Sequence, residues 1–101
     1  MHKLLALYKI PTDEAAFFAH YNAVHLPLVE KIPGLVKTEV TRIDRTLMGE
    51  EGNFLLAELY FADPESFKIA MKSEANSAVG ADAVALAPGI LTVMTGHTLG
   101  D

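Results

Sequence analysis

Cysteine and tryptophan are absent from this chain, and basic residues are few. A chain without cysteine cannot form disulfides, a Cys-ligated zinc site or a thiolate nucleophile. Eight Lys and Arg against 13 Asp and Glu give a net charge of −5, whereas proteins that bind nucleic acid or anionic lipid carry a positive surface. We therefore expect no nucleic-acid partner and no membrane partner.

Long apolar runs are also missing, so no stretch of the sequence has the length of a membrane span. The apolar stretch at 4–7 is too short for the core of a signal peptide, and no small-residue cleavage site follows it. These absences lead us to expect a cytoplasmic protein.

The 101 residues suit a single domain, 1–101, and half of them are hydrophobic. A domain of this size buries only about two-thirds of the surface of its unfolded chain. The hydrophobic fraction is high for so small a core, which indicates an interface with another chain.

Apolar segments and turn residues alternate along the sequence in the order β-α-β-β-α-β. Strands are predicted over 3–10, 35–45, 53–62 and 90–99. A first helix is predicted to begin at a cap at Thr12 or Asp13. Two further helices are predicted, one from Asp63-Pro64-Glu65 to about Lys72 and one from Ser73 to about Ala87. Pro27 should end or kink the first helix near His25, Gly80 should weaken the last helix, and a hairpin loop is expected at 49–52. The order predicts an α+β, ferredoxin-like fold with a four-stranded antiparallel sheet, whose central strands are the first and the third.

The first and third strands are apolar on both faces, although the helices can cover only one face of the sheet. No segment of the predicted pattern is left to cover the second face. A second copy of the chain, packed sheet against sheet about a two-fold axis, would cover it. We therefore predict a homodimer through the sheet face.

Tyr21 and His25 are four residues apart, so a helix places their side chains on one face. An imidazole beside a phenol can bind an oxygen atom of a ligand and move a proton near neutral pH. A structural role is the alternative, because a histidine in the last turn of a helix can bond its final carbonyls and a tyrosine can belong to the core. Both roles stay open on these residues alone.

Other ionisable side chains give weaker indications. His20 and His25 are five residues apart and are predicted to point to different faces of the helix, which argues against a metal-binding pair. Without a His-x3-His pair or a carboxylate triad, we predict no metal site. Glu58 is either a pocket acid with a raised pKa or the partner of a Lys or Arg at a dimer contact, and its burial favours the paired role. His97 is predicted to be structural or solvated.

The motif Phe18-x2-Tyr21-x3-His25-x-Pro27-Leu28, followed by Pro33-Gly34-Leu35, resembles the signature of the EthD family. That family takes its name from a protein linked to the degradation of ethyl tert-butyl ether. The resemblance extends over nearly the whole chain, through the element order, the Tyr60-Phe61-x-Asp63 junction and the segment 73–89.

The resemblance implies a dimeric α+β barrel, the fold shared with small polyketide cyclases, antibiotic-biosynthesis monooxygenases and muconolactone isomerases. It also implies a pocket between the sheet and the helices of each subunit, faced by Tyr21 and His25, with Pro27 and Gly34 shaping the backbone. We expect no cofactor, and a haem role for His25 is disfavoured in a short chain without tryptophan. Further ligand contacts are expected from five side chains: Tyr8, Phe17, Val24, Leu28 and Met94.

The first hypothesis is a protein that binds a small hydrophobic molecule, as an enzyme or accessory protein in the catabolism or oxidation of an oxygen-bearing compound. His25 would act as acid/base and Tyr21 as a hydrogen-bond donor. The alternatives are a non-catalytic dimeric binding or structural module and a cofactor-free monooxygenase or polyketide-cyclase-like enzyme. A cavity of about 300 Å³ or more beside His25 would favour the enzyme, and a pocket filled by side chains would favour the module.

Overall fold

Strands and helices follow one another in the predicted β-α-β-β-α-β order. A computed structural model describes residues 1–100 of the chain. The elements are β1 (His2–Lys9), α1 (Glu14–His20), a π-helical turn (Tyr21–His25), α2 (Leu26–Val29), β2 (Leu35–Arg42), β3 (Asn53–Phe61), α3 (Pro64–Met71), α4 (Glu74–Leu86) and β4 (Leu91–His97). No helix in this described part has the length and apolar character needed to cross a membrane.

The four strands form one antiparallel sheet in the order β2-β3-β1-β4. Ala6 of β1 lies opposite Ala57 of β3 and Val93 of β4, which fixes the register at the centre of the sheet. The two central strands are the two most apolar ones, because neighbours flank them on both sides and helices cover one of their faces. The predicted ferredoxin-like α+β fold is confirmed.

Three helices begin at capping residues that the sequence predicts. In each case a side-chain oxygen accepts a hydrogen bond from the backbone N–H three residues later: Asp13 from Ala16 at 3.0 Å, Asp63 from Ser66 at 2.8 Å and Ser73 from Asn76 at 3.1 Å. Such caps satisfy donors that the first helical turn leaves unpaired. The helix α4 continues without a break through Gly80, so this glycine does not interrupt it.

The connection between β2 and β3 is longer than predicted, since it spans 43–52 instead of 46–52. The backbone N–H of Ile43 still donates to the carbonyl of Phe54 at 2.8 Å. The chain then leaves the ladder at Asp44, a residue type that is depleted in strands. The strand β2 therefore ends at Arg42, three residues before the predicted end.

Buried side chains fill the space between the sheet and the helices. They form two clusters, one built of Val29, Ile32, Ala57, Leu59, Phe61, Ala70 and Val79, and one built of Tyr8, Phe17, Tyr21, Phe54, Leu55 and Ala87. Because side chains alternate along a strand, the residues of β1 and β3 between these positions face the other way. The core therefore occupies one face of the sheet.

The second face of the sheet carries apolar side chains that no helix covers in the described part of the chain. Leu5 lies opposite Met94, and Leu7 lies opposite Leu56, so the four side chains stand together across three strands. Met94 keeps 41% of its surface exposed. This group of four, which we call the outer patch, is the face that the sequence predicts to need a partner.

Candidate functional site

A cavity of about 230 Å³ lies between the sheet and the helices. Leu4, Ala6 and Tyr8 of β1 form part of its wall, and Tyr21 and His25 of the helical layer form another part. Most of the remaining wall is aliphatic. Ionisable groups in an apolar cavity are a common arrangement in binding and active sites, so this cavity is the candidate site.

A second and larger recess, of about 390 Å³, runs along the edge strand β2. Its ionisable side chains are Glu30 and Lys37 alone, and it contains neither the tyrosines nor the histidine of the motif. Its walls are formed by the short helix α2 and by an edge of the sheet that faces solvent. We therefore place the chemistry in the smaller cavity, where the titratable groups lie.

The helix that carries the motif changes its winding at Tyr21. The N–H of Leu26 donates to the carbonyl of Tyr21, which closes a turn five residues apart instead of four. The helix then continues through Pro27 to Val29, so of the predicted end or kink near His25 the end is wrong, and a change of winding lies there instead. Proline has no N–H to donate, and the wider turn allows the chain to pass it without a break. Such π-helical turns are frequent at functional sites.

Within this turn the rings of Tyr21 and His25 stack, with centroids 5.2 Å apart and an angle of 23° between their planes. His25 is 4% exposed and is the one buried polar or charged residue among those that the structure describes. A buried imidazole needs a partner for its N–H. That partner is Asp82 of α4.

The carboxylate of Asp82 joins two histidines. Its Oδ2 lies 2.8 Å from Nδ1 of His25, and its Oδ1 lies 2.8 Å from Nε2 of His20. The side chain of Asp82 is 14% exposed, so burial by itself would raise its pKa. The hydrogen bonds from His20 and His25 outweigh this effect and hold the pKa below its usual value of 3.8.

An ionised carboxylate can only accept hydrogen bonds, so both of these imidazole nitrogens carry a proton. In the neutral ring of His25 the proton therefore resides on Nδ1, and Nε2 keeps its lone pair. The described residues place no hydrogen-bond donor or acceptor on Nε2, and His25 lines the cavity. The arrangement gives the cavity one oriented base.

Two tyrosine hydroxyls also belong to the polar part of the cavity wall, which contains Thr38 and Asn76 as well. Tyr8 and Tyr21 are 1% and 2% exposed, and neither hydroxyl has a hydrogen-bond partner in the described protein. No described side-chain polar atom is both fully buried and unpartnered, so each hydroxyl must border open space. Both residues line the cavity, and it is the open space that they share.

Burial also fixes the charge of these tyrosines. It raises the pKa of Tyr8 to about 12, with the negative charge of Asp82 adding to the effect. Burial likewise raises the pKa of Tyr21, and Tyr8 contributes further. Both phenols therefore stay neutral near pH 7 and act as hydrogen-bond donors.

Residues 9–88 match the family model described as the EthD domain. The chain belongs to the EthD family. A relative from Rhodococcus erythropolis, described as an uncharacterized 11.0 kDa protein in the thcB-thcC intergenic region, is 30% identical over 94 residues, which are 93% of this chain and 91% of the relative. The crystal structure of an ethyl tert-butyl ether (EthD) family protein from Bacillus halodurans is 44% identical, covers 98% of this chain and 99% of its own, and has a TM-score of 0.91.

Some more distant solved structures are similar to this EthD protein in fold but have little sequence identity with it. One is a dimeric ferredoxin-like protein from Jannaschia, 14% identical with a TM-score of 0.68, covering 97% of this chain and all of its own. Another is SnoaB of Streptomyces nogalater, described as a cofactor-independent oxygenase, 16% identical with a TM-score of 0.60, covering 99% of this chain and 97% of its own.

Of the five further residues that the sequence predicts as ligand contacts, one lines the cavity of the EthD protein and four do not. Tyr8 is in the wall. Phe17 lies behind the wall, where its ring stacks on Tyr21 with centroids 5.5 Å apart. Val24 is 41% exposed, because the wider turn shifts the helix face on which it was expected. Leu28 packs on the neighbouring core cluster instead.

Met94 does not line the cavity either, because it belongs to the outer patch. Along β4 the side chains alternate, and it is Val93 that faces the helices and borders the cavity. A one-residue step in a strand exchanges the two faces of the sheet. The strand β4 therefore contributes Val93 to the cavity wall, and Met94 lies on the other face of the sheet.

The prediction that His20 and His25 point to different faces is also wrong. In a regular helix residues five apart diverge, but a turn that closes from i to i+5 brings them to one side. Both rings reach the same carboxylate as a result. No group of three or more His, Asp and Glu side chains in residues 1–100 is arranged to hold a metal ion.

Glu58 pairs with a lysine of its own chain, and its place at a dimer contact stays a prediction. Its carboxylate accepts a hydrogen bond from the hydroxyl of Tyr60 at 2.6 Å and lies 3.4 Å from Nζ of Lys3. The bond from Tyr60 is the main reason that its pKa is lowered instead of raised. Glu58 shares the face of the outer patch and is not a cavity acid. At the far end of the sheet, His97 stacks on His2, with centroids 5.7 Å apart.

Proposed function

We propose that this EthD protein binds a small hydrophobic molecule with a hydroxyl or carbonyl group in the cavity, and that His25 acts on it as an acid/base catalyst. The observation that carries the proposal is the hydrogen bond from Nδ1 of the buried His25 to the half-buried carboxylate of Asp82 at the edge of an apolar cavity. This bond orients the ring and stabilises the imidazolium that forms when Nε2 accepts a proton.

The ligand oxygen would lie between Nε2 of His25 and the hydroxyls of Tyr8 and Tyr21. When His25 removes a proton from a ligand hydroxyl, negative charge develops on that oxygen. Two neutral phenol donors in an apolar cavity stabilise such a charge more than they stabilise the uncharged ligand. The tyrosines would therefore support deprotonation, and the apolar wall would select a hydrophobic body for the ligand.

The size of the cavity supports a small ligand. Side chains do not fill it, which disfavours a purely structural module, although its volume of about 230 Å³ is below the 300 Å³ expected of drug-sized pockets. A cavity of about 150 Å³ is enough for benzene. A substituted one-ring compound therefore fits the available space, and catabolism or oxidation of such a compound is the role we propose.

Cofactor-free oxygenation of an activated aromatic compound is the second candidate. A phenol has to lose its proton before it is electron-rich enough to react with oxygen, and the oriented base of the cavity could remove that proton. The fold is shared with SnoaB, a cofactor-independent oxygenase. Consumption of oxygen with a bound phenol would separate this candidate from simple proton transfer.

We also propose that the protein is a homodimer through the outer patch. Leu5, Leu7, Leu56 and Met94 form an apolar face that no described element of the chain covers. Related folds described as dimeric support this arrangement. The cavity lies on the opposite face of the sheet, so the dimer would leave the ligand site open.

4-Nitrophenol tests the acid/base proposal, because its phenolate is yellow and its phenol is not. At a pH at which the free probe is protonated, we expect the wild-type protein to bind it and to shift part of it to the phenolate. His25→Asn keeps an amide N–H near the place of Nδ1 but lacks the base at Nε2. We expect the phenolate absorbance of the bound probe to fall by about tenfold or more in this variant, in an absorbance titration.

His97→Asn is the matched control, since His97 lies outside the cavity wall and the chemical change is the same. This control should bind and ionise the probe like the wild type. Equal phenolate absorbance in the His25→Asn variant and the wild type would contradict the acid/base role. A wild-type protein that does not bind the probe would contradict the proposed ligand class.

A further inference from the structure

Gly80 occupies a costly position in α4. It lies in the interior of this 13-residue helix, where glycine is less favourable than alanine because it loses more backbone freedom on folding. Its φ angle is not among the positive ones in the described chain, so the backbone does not require a glycine there. The residue therefore needs an explanation other than helix geometry.

Close packing does not supply that explanation. A Cβ atom added at Gly80 would meet no heavy atom within 4 Å, so no neighbouring side chain or backbone approaches the position. Where a glycine allows two elements to pack closely, atoms of the neighbouring element lie within this distance of the glycine. Gly80 is exposed and is also one of the residues that line the cavity, so the open space beside it adjoins the cavity.

Gly80 differs from most other residues of the cavity wall in its exposure to solvent. Among the residues that line the cavity, only Gly80 and Val93 are exposed to solvent, and the others are buried or half-buried. The wall next to Gly80 is buried, with Val79 and Ala83 both below 8% exposure. Gly80 therefore lies where the cavity opens to solvent.

We infer that Gly80 is a specificity-determining residue, whose missing side chain holds the entrance of the cavity open and sets the width of the ligand that can enter. The inference rests on the proposed small-molecule site. A side chain at position 80 would fill the open space at the entrance, and the glycine leaves this space free. A helix with alanine or leucine here would be more stable and its cavity narrower.

The test compares Gly80→Leu with Ala81→Leu. Ala81 is the next residue of α4, is exposed and does not line the cavity, so it receives the same side chain away from the entrance. The probes are 4-nitrophenol and the two-ring 2-naphthol, whose fluorescence is free of tryptophan background in this chain. Stopped-flow binding gives the association rate, and titration gives the affinity for each probe.

We expect Gly80→Leu to slow association of 2-naphthol by about tenfold or more, and to raise the preference for 4-nitrophenol over 2-naphthol by about tenfold. Ala81→Leu should match the wild type in both respects. Gly80→Ala provides a second, milder variant that should fold in any case. It should raise Tm by about 4 °C and still weaken binding of 2-naphthol more than of 4-nitrophenol.

The outcomes separate the inference from the proposed function. If Gly80→Leu and Ala81→Leu bind both probes alike, the inference is wrong and the site itself stands. A Gly80→Ala variant with a lower Tm than the wild type would show that the glycine serves folding, which also overturns the inference. A wild-type protein that binds neither probe removes the proposed function and the inference with it.

Discussion

Replacing Asp82 by asparagine is expected to abolish most of the proton-accepting capacity of the cavity. The carboxylate now accepts hydrogen bonds from two imidazoles, each at 2.8 Å. An asparagine can accept one of these bonds but presents an N–H₂ group toward the other histidine. Where that group faces Nδ1 of His25, the imidazole has to carry its proton on Nε2, and the base toward the cavity is lost.

The magnitude follows from the loss of a charge-assisted hydrogen bond, which contributes about 1.5–3 kcal/mol. We therefore expect binding of 4-nitrophenolate to weaken by about tenfold to a hundredfold in Asp82→Asn. The free energy of unfolding should fall by about 1–3 kcal/mol, because one polar group of the partly buried cluster of His20, His25 and Asp82 stays unsatisfied. Absorbance titration and urea unfolding measure these two effects.

Asp44→Asn is the matched control, since Asp44 is exposed in the connection between β2 and β3 and its replacement removes the same charge. It should leave both probe binding and unfolding unchanged. If Asp82→Asn bound the phenolate as tightly as Asp44→Asn, the carboxylate would not orient the base of the cavity. The proposed mechanism would then lose its main support.

The same variant should change how stability responds to acid. The pKa of Asp82 in the folded protein lies below its usual value of 3.8, so at low pH the unfolded chain binds this proton first. The contribution of Asp82 to stability is therefore complete above that usual value, and it disappears as the pH falls through the lower pKa of the folded state. The difference in unfolding free energy between wild type and Asp82→Asn should shrink on acidification.

Asp82 is also a residue of the candidate site that the sequence analysis does not identify. It lies 57 positions from His25, and a single aspartate on a helix is usually solvated. The sequence of α4 contains one indication that Asp82 is not an ordinary solvated residue. Val79, Ala83 and Leu86 form the apolar side of α4, and Asp82 lies one turn after Val79 on that side. A charge within an apolar stripe indicates a buried partner, although it does not reveal which one.

The helix of the motif shows a second limit of sequence reasoning. Helical spacing predicts that Tyr21 and His25 share a face, and their rings do stack. The same spacing misplaces Val24 and His20, because it assumes one residue period along the whole helix. The π-helical turn changes that period for five residues, and no residue type marks such a turn in a single sequence.

The fold itself could be predicted because its signals are local. Asp13, Asp63 and Ser73 cap helices through bonds that span three residues, and the apolar runs of β1 and β3 identify the central strands. The side of a strand that a residue faces is set by register, which is a relation between distant segments. For that reason the sequence predicts Met94 in the cavity, whereas its neighbour Val93 lines it.

Placing a lysine at Leu56 is expected to convert the protein from a dimer to a monomer. Leu56 lies opposite Leu7 at the middle of the outer patch, on a central strand of the sheet. In a two-fold interface each substitution occurs twice, so two lysines would be buried at the patch, where the neighbouring carboxylate of Glu58 is already paired with Tyr60 and Lys3. An unpaired buried charge costs about 2–5 kcal/mol. Two of them raise the dissociation constant of the dimer by about a thousandfold or more.

Ile69→Lys provides the control for this prediction, because Ile69 is 60% exposed on α3, in the helical layer on the other side of the sheet. Sedimentation velocity at micromolar concentration should show dimers for the wild type and for Ile69→Lys, and monomers for Leu56→Lys. A Leu56→Lys protein that stays dimeric would move the interface away from the outer patch. A monomeric wild type would leave Leu5, Leu7 and Met94 as apolar surface in water, and the homodimer would then be wrong. Since the cavity lies on the opposite face, a monomeric variant that still binds 4-nitrophenol would show that one chain is sufficient for the site.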